Sequence, residues 1–174
     1  MGILDFRMRA ALAAAVLPFA ACGGTAAAAA PVAAQARADL RAPLTLVNSA
    51  PLSFGTFAPG PSAGTVVLNP DDGSVTATGG VTMLGAAASP ASFSGTALSG
   101  KHVKVRVPTG RIVLKRVGGT ETMTVATFTI DGRKNDKAVV GGTFSFRVGG
   151  TLSVGAAQAD GLYEGSFEVM VENF

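Results

Sequence analysis

The sequence runs to 174 residues, with 48% apolar and 14% charged side chains, a formal charge of +3, 23 Gly, 9 Pro, one Cys, one His and no Trp. One cysteine excludes an intrachain disulfide framework and a zinc site built from several thiolates, and one histidine excludes any mechanism that needs two imidazoles. A charge so near neutral gives no compositional case for binding nucleic acid, which leaves a Gly-, Thr- and Val-rich β protein with room for one domain.

Residues 1–36 read as a signal peptide and Ala-rich processing segment rather than as part of the fold. Arg7 and Arg9 form a short basic region ahead of the apolar run Ala10–Ala21, whose twelve residues fall short of the roughly 20 that span a bilayer. Ala34-Gln35-Ala36 has the small-x-small form of a signal-peptidase site, and an earlier cut near Ala28 to Ala30 fits equally well by side-chain size. Cys22 is a candidate for lipidation, because Phe19-Ala20-Ala21-Cys22 partly matches the box in which small residues precede an acylated thiol. Phe19 and Pro18 depart from the usual Leu-containing form of that box. Without lipidation the cysteine leaves with the leader, and the folded part then has no thiol exposed to an oxidising compartment. Met1-Gly2 is no myristoylation signal, since Phe6 stands where Ser or Thr is needed. These features predict export to the periplasm, the cell surface or the medium, with no transmembrane segment in the mature chain.

Residues 37–174 are expected to form a single β domain. With Arg7, Arg9 and Asp5 set aside they carry twelve Lys/Arg against ten Asp/Glu. No segment after residue 43 sustains a 3.6-residue period, and short Val/Thr/Phe runs recur between Gly-Gly, Pro-Gly, Asp-Gly and Ser-Gly turn signals. The pattern predicts strands at about 44–48, 52–57, 64–69, 73–77, 79–84, 91–95, 103–107, 111–115, 122–130, 143–154 and 162–173. Residues 73–84 also read as one long strand kinked at Gly79-Gly80. Val103, Val105 and Val107 alternate with Lys104 and Arg106, and Phe144, Phe146 and Val148 alternate with Ser145 and Arg147, which marks one buried and one wet face in each. Gly149-Gly150 allows a bulge or bend before Leu152 and Val154 resume the pattern. Within 122–130 the phase changes between Val125 and Phe128, so a bulge near Ala126-Thr127 would bring Met123, Val125, Phe128 and Ile130 to the same side. Residues 131–137 read as a polar hairpin loop or short insertion. In the last segment Tyr163, Phe167, Val169 and Val171 share one face, and Glu164, Glu168 and Glu172 share the other. Some ten short strands with regular turns predict an all-β, immunoglobulin-like two-sheet antiparallel sandwich, with a closed barrel as the rival architecture. An outer-membrane barrel fits less well, for want of long lipid-facing strands and aromatic girdles.

Four stretches carry a resemblance: Leu52-Ser53-Phe54-Gly55-Thr56-Phe57-Ala58-Pro59-Gly60, Val75-Thr76-Ala77-Thr78-Gly79-Gly80-Val81-Thr82, Gly149-Gly150-Thr151-Leu152-Ser153-Val154-Gly155 and Gly161-Leu162-Tyr163-Glu164-Gly165-Ser166-Phe167-Glu168-Val169. Together, after a signal peptide, they resemble the exported bacterial family catalogued as domain of unknown function 4402, found mainly in Gram-negative bacteria. The resemblance covers about residues 40–174. It implies an immunoglobulin-like sandwich related to fimbrial and surface subunits, with no catalytic site to carry over. The chain departs from the family's usual pattern in its basic middle, in the charged 131–137 loop and in its more acidic closing strand.

Lys101, His102, Lys104, Arg106, Arg111, Lys115 and Arg116 form a basic stretch with no acid among them. Lys101, Lys104, Arg106, Arg111 and Lys115 are the candidate surface-contact patch, brought together if Pro108-Thr109-Gly110 makes a hairpin. Such a patch suits an anionic sugar, a lipopolysaccharide phosphate or an acidic partner subunit, and equally a solvated face that discourages edge association. Glu164, Glu168 and Glu172 form the complementary row. Ala38, Leu40, Ala42, Leu44 and Leu46 alternate with Asp39, Arg41, Pro43 and Thr45, so this segment is a candidate donor strand for a neighbouring copy or another envelope protein. Its plain alternative is the first strand of its own domain.

Other motifs point away from chemistry. Lone His102 has no metal-ligand spacing, and Asn69–Ser74 lacks the spaced oxygens of a calcium loop and reads as a turn. No Gly-x-Ser-x-Gly elbow occurs, and Gly118-Gly119 and Gly141-Gly142 do not open phosphate loops. The expectation is a non-enzymatic, cofactor-free structural or adhesive surface protein of a pilus-like kind that binds no nucleic acid. The alternative is a monomeric periplasmic or secreted binding module for an anionic glycan or envelope component.

Overall fold

The computed structural model describes residues 43–85, 88–133 and 135–173. The expected leader, Cys22, Leu40 and Ala42 lie outside them. Eleven strands follow in order: β1 (Thr45–Ala50), β2 (Phe57–Leu68), β3 (Val75–Met83), β4 (Ala91–Thr96), β5 (His102–Arg106), β6 (Ile112–Arg116), β7 (Thr122–Ile130), β8 (Asp136–Ala138), β9 (Thr143–Val154), β10 (Tyr163–Glu164) and β11 (Met170–Asn173), with one 3-10 turn at Asp131–Arg133. All pairings are antiparallel. Eight strands make one sheet, with the path β1-β4-β9-β7-β6-β10 and the β2–β3 pair joined to β9. The other three form a second sheet in the order β11-β5-β8. The chain is therefore an all-β fold of two antiparallel sheets, and among the described residues neither sheet closes into a barrel.

The long strand β9 organises both halves. On one side its first part, Thr143–Val148, pairs with β4, and its second part, Gly150–Val154, pairs with β2. On its other side β7 runs along Val148 to Ser153. The sheet thus forks at Gly149-Gly150. A Cβ at Gly149 would collide with the Leu68 carbonyl oxygen and with Pro70 at 2.8 Å, so only glycine lets the end of β2 close onto β9 there. The expected bulge in this strand does not form: Phe144, Phe146, Val148, Leu152 and Val154 stay buried in unbroken alternation. The register shift falls instead on β7, between Ala126 and Thr129, where Thr127 takes φ +52°. This is the bulge expected near Ala126-Thr127. It turns Phe128 and Ile130 to the side already occupied by Met123 and Val125.

Two apolar cores lie along β9. The first gathers Ala91, Phe93, Val103, Val105, Val139, Phe144, Phe146 and Val148 between β4, β9 and the small sheet. Its rings interlock, with Phe93 stacked on Phe146 at 5.1 Å and edge-on to Phe167 at 6.4 Å; contacts of this kind add about 0.5–1.5 kcal/mol beyond area burial. The second core holds Phe54, Val66, Leu68, Val81, Met123, Val125, Leu152 and Val154. Phe128 packs against both.

Several expected elements differ in form. Residues 73–84 make the single strand of the second reading, β3, which turns at Gly79 with φ +69° beside a register shift opposite Pro59–Gly64. Residues 52–56 do not form the expected strand, because Gly55 at φ +76° breaks the extended run and leaves Ser53 in an isolated bridge to Ser89, while Phe57 opens β2. Residues 162–173 split between the two sheets: β10 pairs with β6, and β11 pairs with β5. The inward face was nevertheless read correctly, since Tyr163 reaches the second core and Phe167, Val169 and Val171 the first.

Gly149→Ala should lower unfolding stability by about 1–3 kcal/mol, the usual cost of overpacking. Gly110→Ala, where a Cβ meets open space, should change it little. Urea denaturation of the two variants beside the wild type checks this, and equal midpoints would show that β2 does not press on β9 at the fork.

Candidate interaction surfaces

The basic stretch divides between the sheets. On β5, His102, Lys104 and Arg106 alternate with the buried Val103 and Val105 and face away from the first core. Arg111 directly precedes β6, and Lys115 lies within it, in the large sheet. The expected hairpin through Pro108-Thr109-Gly110 does not pair these strands, because β5 takes β11 and β8 as its neighbours. The five candidate residues therefore lie on two sheets rather than on one hairpin.

The acidic row answers both parts. Glu172 on β11 stands opposite Lys104, and its carboxylate accepts a hydrogen bond from Arg106 at 3.0 Å. Glu164 on β10 stands opposite Lys115. His102 Nδ1 lies 2.7 Å from Asp136 Oδ1 across the β5–β8 pair, with both side chains half-exposed. Pairs this open to solvent contribute about 0–1 kcal/mol each. Arg116 is held differently: its Nε donates to the Asp160 carbonyl at 2.6 Å, and its guanidinium faces Glu121 at 3.4 Å. A hydrogen bond from its own backbone amide, with Arg116 adding to it, keeps the Glu121 carboxyl below its ordinary value. Among the described residues, Lys101, Lys104, Arg111 and Lys115 make no ion pair. Lys101, Lys104 and Arg106 thus remain together at one strand.

The acids at the β2–β3 turn are engaged locally. Asn69 Oδ1 accepts the Asp71 amide at 3.0 Å, Asp72 Oδ1 accepts the Ser74 amide at 2.8 Å, and Asp71 Oδ1 accepts the Gly132 amide at 2.6 Å. The Asp71 carbonyl also accepts from the Arg147 guanidinium. These oxygens point at backbone amides, and the segment is the turn its sequence suggested. Of the expected 131–137 loop, Asp136 and Lys137 belong instead to β8, and Lys137 Nζ donates to Asp131 Oδ1 at 2.8 Å, tying the strand back to the 3-10 turn. Among the described residues, no three His, Cys, Asp or Glu side chains gather as a metal site.

A cleft opens where residues 51–56 replace the expected strand. It encloses about 1290 Å³. Leu52, Phe54 and Phe57 form one wall, and Leu114, Tyr163 and Phe167 form another. The Tyr163 hydroxyl donates to the Ala159 carbonyl at 2.8 Å and lies 2.8 Å from Gln158 Nε2, which fixes the ring at the rim. Sequence patterning missed this cleft, because Leu52 and Phe54 alternate as a strand would; the signal against a strand was Gly55, one residue beyond.

Leu44 and Leu46, from the candidate donor segment, pack partly buried against the first core of their own domain, and Leu46 lies in β1 paired with β4. Five strands have one unpaired side among the described residues: β1, β3, β8, β10 and β11. No helix of the described residues is long and apolar enough to cross a membrane.

The family described as Domain of unknown function (DUF4402) matches residues 44–173, and the chain belongs to it. No curated protein and no solved structure matches it.

Hydrogen bonds from the Ser74 hydroxyl and amide hold the Asp72 carboxyl below its ordinary value. A lowered folded-state pKa means that the stabilising contribution is present above the unfolded value and disappears as pH falls through the folded one. Asp72→Ala should therefore melt below the wild type at pH 7, and the two curves should merge in strong acid. A gap that stays constant down to acid pH would contradict the assignment.

Proposed function

We propose that this member of the family is an exported, non-enzymatic structural or adhesive protein of the cell surface, a pilus-like subunit whose two sheets form an immunoglobulin-like sandwich. The observation that carries this reading is an all-β domain with unpaired sheet edges and a largely apolar cleft beside the segment 51–56, which forms no named strand. The resemblance to fimbrial subunits supports the same reading. So does the placement of the one histidine, which pairs with Asp136 on a solvent-facing strand and does not line the cleft.

Strand addition is the assembly mode that fits such a cleft, since an extended segment gains ladder hydrogen bonds while its alternate side chains fill apolar pockets. Leu40, Ala42, Leu44 and Leu46 supply the required spacing of two. Leu44 and Leu46 pack within their own domain, so the transferable part is the stretch ahead of β1. The 1–36 segment acts as an export leader in this reading, with Cys22 as its optional lipid attachment point.

A second reading rests on Lys101, Lys104 and Arg106, which cluster at β5 with only Arg106 ion-paired among the described residues. They suit a saturable site for an anionic envelope glycan on a monomeric protein.

Deleting residues 37–43 should abolish the SDS-resistant ladders of protein recovered from intact cells, while leaving the melting temperature of the monomer nearly unchanged. Intact-mass measurement on the same material fixes the mature N-terminus and any lipid on Cys22. Absence of ladders in the wild type, combined with glycan binding that is lost in a Lys104→Glu/Arg106→Glu variant, would favour the second reading instead.

A further inference from the structure

We propose that the free edges of β1 and β3 are the two halves of a head-to-tail joint, through which β1 of one copy adds to β3 of the next. This rests on the surface-subunit reading, but it uses neither the cleft nor the transferable stretch ahead of β1.

An edge strand presents unpaired N–H and C=O groups that template another strand, and soluble domains guard such edges with charge, proline or brevity. Three of the five edges here are guarded in that way. β8 has three residues and includes Asp136 and Lys137, β10 has two and includes Glu164, and β11 has four and includes Glu172. The other two carry no charge, although β1 has a register shift between Asn48 and Ala50. β1 reads Thr-Leu-Val-Asn-Ser-Ala and β3 reads Val-Thr-Ala-Thr-Gly-Gly-Val-Thr-Met, so fifteen edge residues pass without a single charge. Unguarded edges of this length mark association sites.

The two edges also match in character. β1 shows Thr45, Val47 and Ser49 on its outer face, with Val47 60% exposed, and β3 shows Thr76, Thr78 and Thr82. Each outer row already pairs with its like on its occupied side, Thr45 with Thr96 and Thr78 with Thr65, with Oγ1 atoms 2.7 Å apart in both cases. Cross-strand threonine pairs of this sort stabilise a ladder, and a joint would continue the row. On the inner faces Leu46 packs on the first core while Val75 and Ala77 pack on the second. Joining the edges with faces aligned extends apolar on apolar. Pro43 and Pro51 bracket β1, and Gly79 bends β3 after Thr78, so the ladder is confined to a short stretch on each side.

Because the edges are different strands, using one leaves the other open on each copy. A heterologous contact of that kind builds chains of copies. The consequence can be tested by complementation. Val47→Lys guards β1 and Thr76→Lys guards β3; both residues are exposed, so circular dichroism and melting should match the wild type.

Sedimentation velocity on the full chain as processed by the cell, across a hundredfold concentration range, reads the outcome. The wild type should grow beyond dimers with concentration, each lysine variant alone should stay monomeric, and an equimolar mixture of the two should give dimers and nothing larger. A wild type that stays monomeric throughout, growth that persists in both variants, or a dimer abolished by only one of them would overturn the joint. Assembly that survives both lysines but disappears on deleting residues 37–43 would overturn the joint while sustaining donor-strand addition. Assembly lost to either lysine yet indifferent to that deletion would do the reverse.

Discussion

One strand serving two cores is the constraint on which the rest of the fold depends. From Phe144 to Val154 the inward residues of β9 keep a strict period of two, which a pleated strand enforces, yet the strand changes partner midway. The rings of Phe144 and Phe146 face the small sheet, whereas Leu152 and Val154 face the β2–β3 half. The exchange is possible because Gly149, which has no side chain, occupies the point where the end of β2 meets β9. A side chain there would push β2 away and uncover Leu68 and Val66, both fully buried. The β7 bulge at Thr127 is the matching adjustment on the opposite side. It keeps Met123 and Val125 in the second core while Phe128 turns toward both.

The last dozen residues tie the two sheets together. Alternation carries Tyr163 into one core and Phe167, Val169 and Val171 into the other, so a single extended segment crosses the gap that the two-residue β10 leaves behind. Its acids meet cations on each sheet in turn, Glu164 opposite Lys115 and Glu172 beside Lys104 and Arg106. Only Arg106–Glu172 among them is an ion pair, half-exposed and weak, so apolar burial holds the segment in place and sets its register. A slip of one residue would turn the aromatic face to water and set acids against the core. The same charges guard β10 and β11 against foreign strands.

Much of this was legible from residue order. The period of two in β5 and β9 identified their buried faces, and the phase change between Val125 and Phe128 located a bulge that Thr127 forms. What sequence could not give was which strands pair. Nothing local distinguishes Arg111 as a neighbour of Lys104 from Arg111 on another sheet; that depends on β5 finding β11, some sixty residues away, before β6 can claim it. The segment at 52–57 failed for a related reason. Leu52 and Phe54 have strand spacing, but Gly55 takes a positive φ that redirects the chain, and glycine permits that conformation without announcing it. The apolar cleft therefore emerged only with the fold, although most of its wall residues were already visible as core candidates. The leader and the first half of the donor segment lie outside the described residues and stand on sequence alone.

The distribution of charge over the edges bears on function more directly than net charge does. A monomeric domain gains nothing from leaving its longest edge uncharged, since any lysine on the outer face of β3 would discourage aggregation at almost no cost to the core. The chain places such residues at β8, β10 and β11, so the means of guarding is in use elsewhere in the same molecule. Thr76, Thr78 and Thr82 instead keep the β3 edge uncharged and short-chained, and Thr45, Val47 and Ser49 do the same for β1. Those are the properties of a surface that receives a strand. Selective guarding of this kind leaves β1 and β3 as the uncharged edges among the described residues, which is where the proposed joint would form.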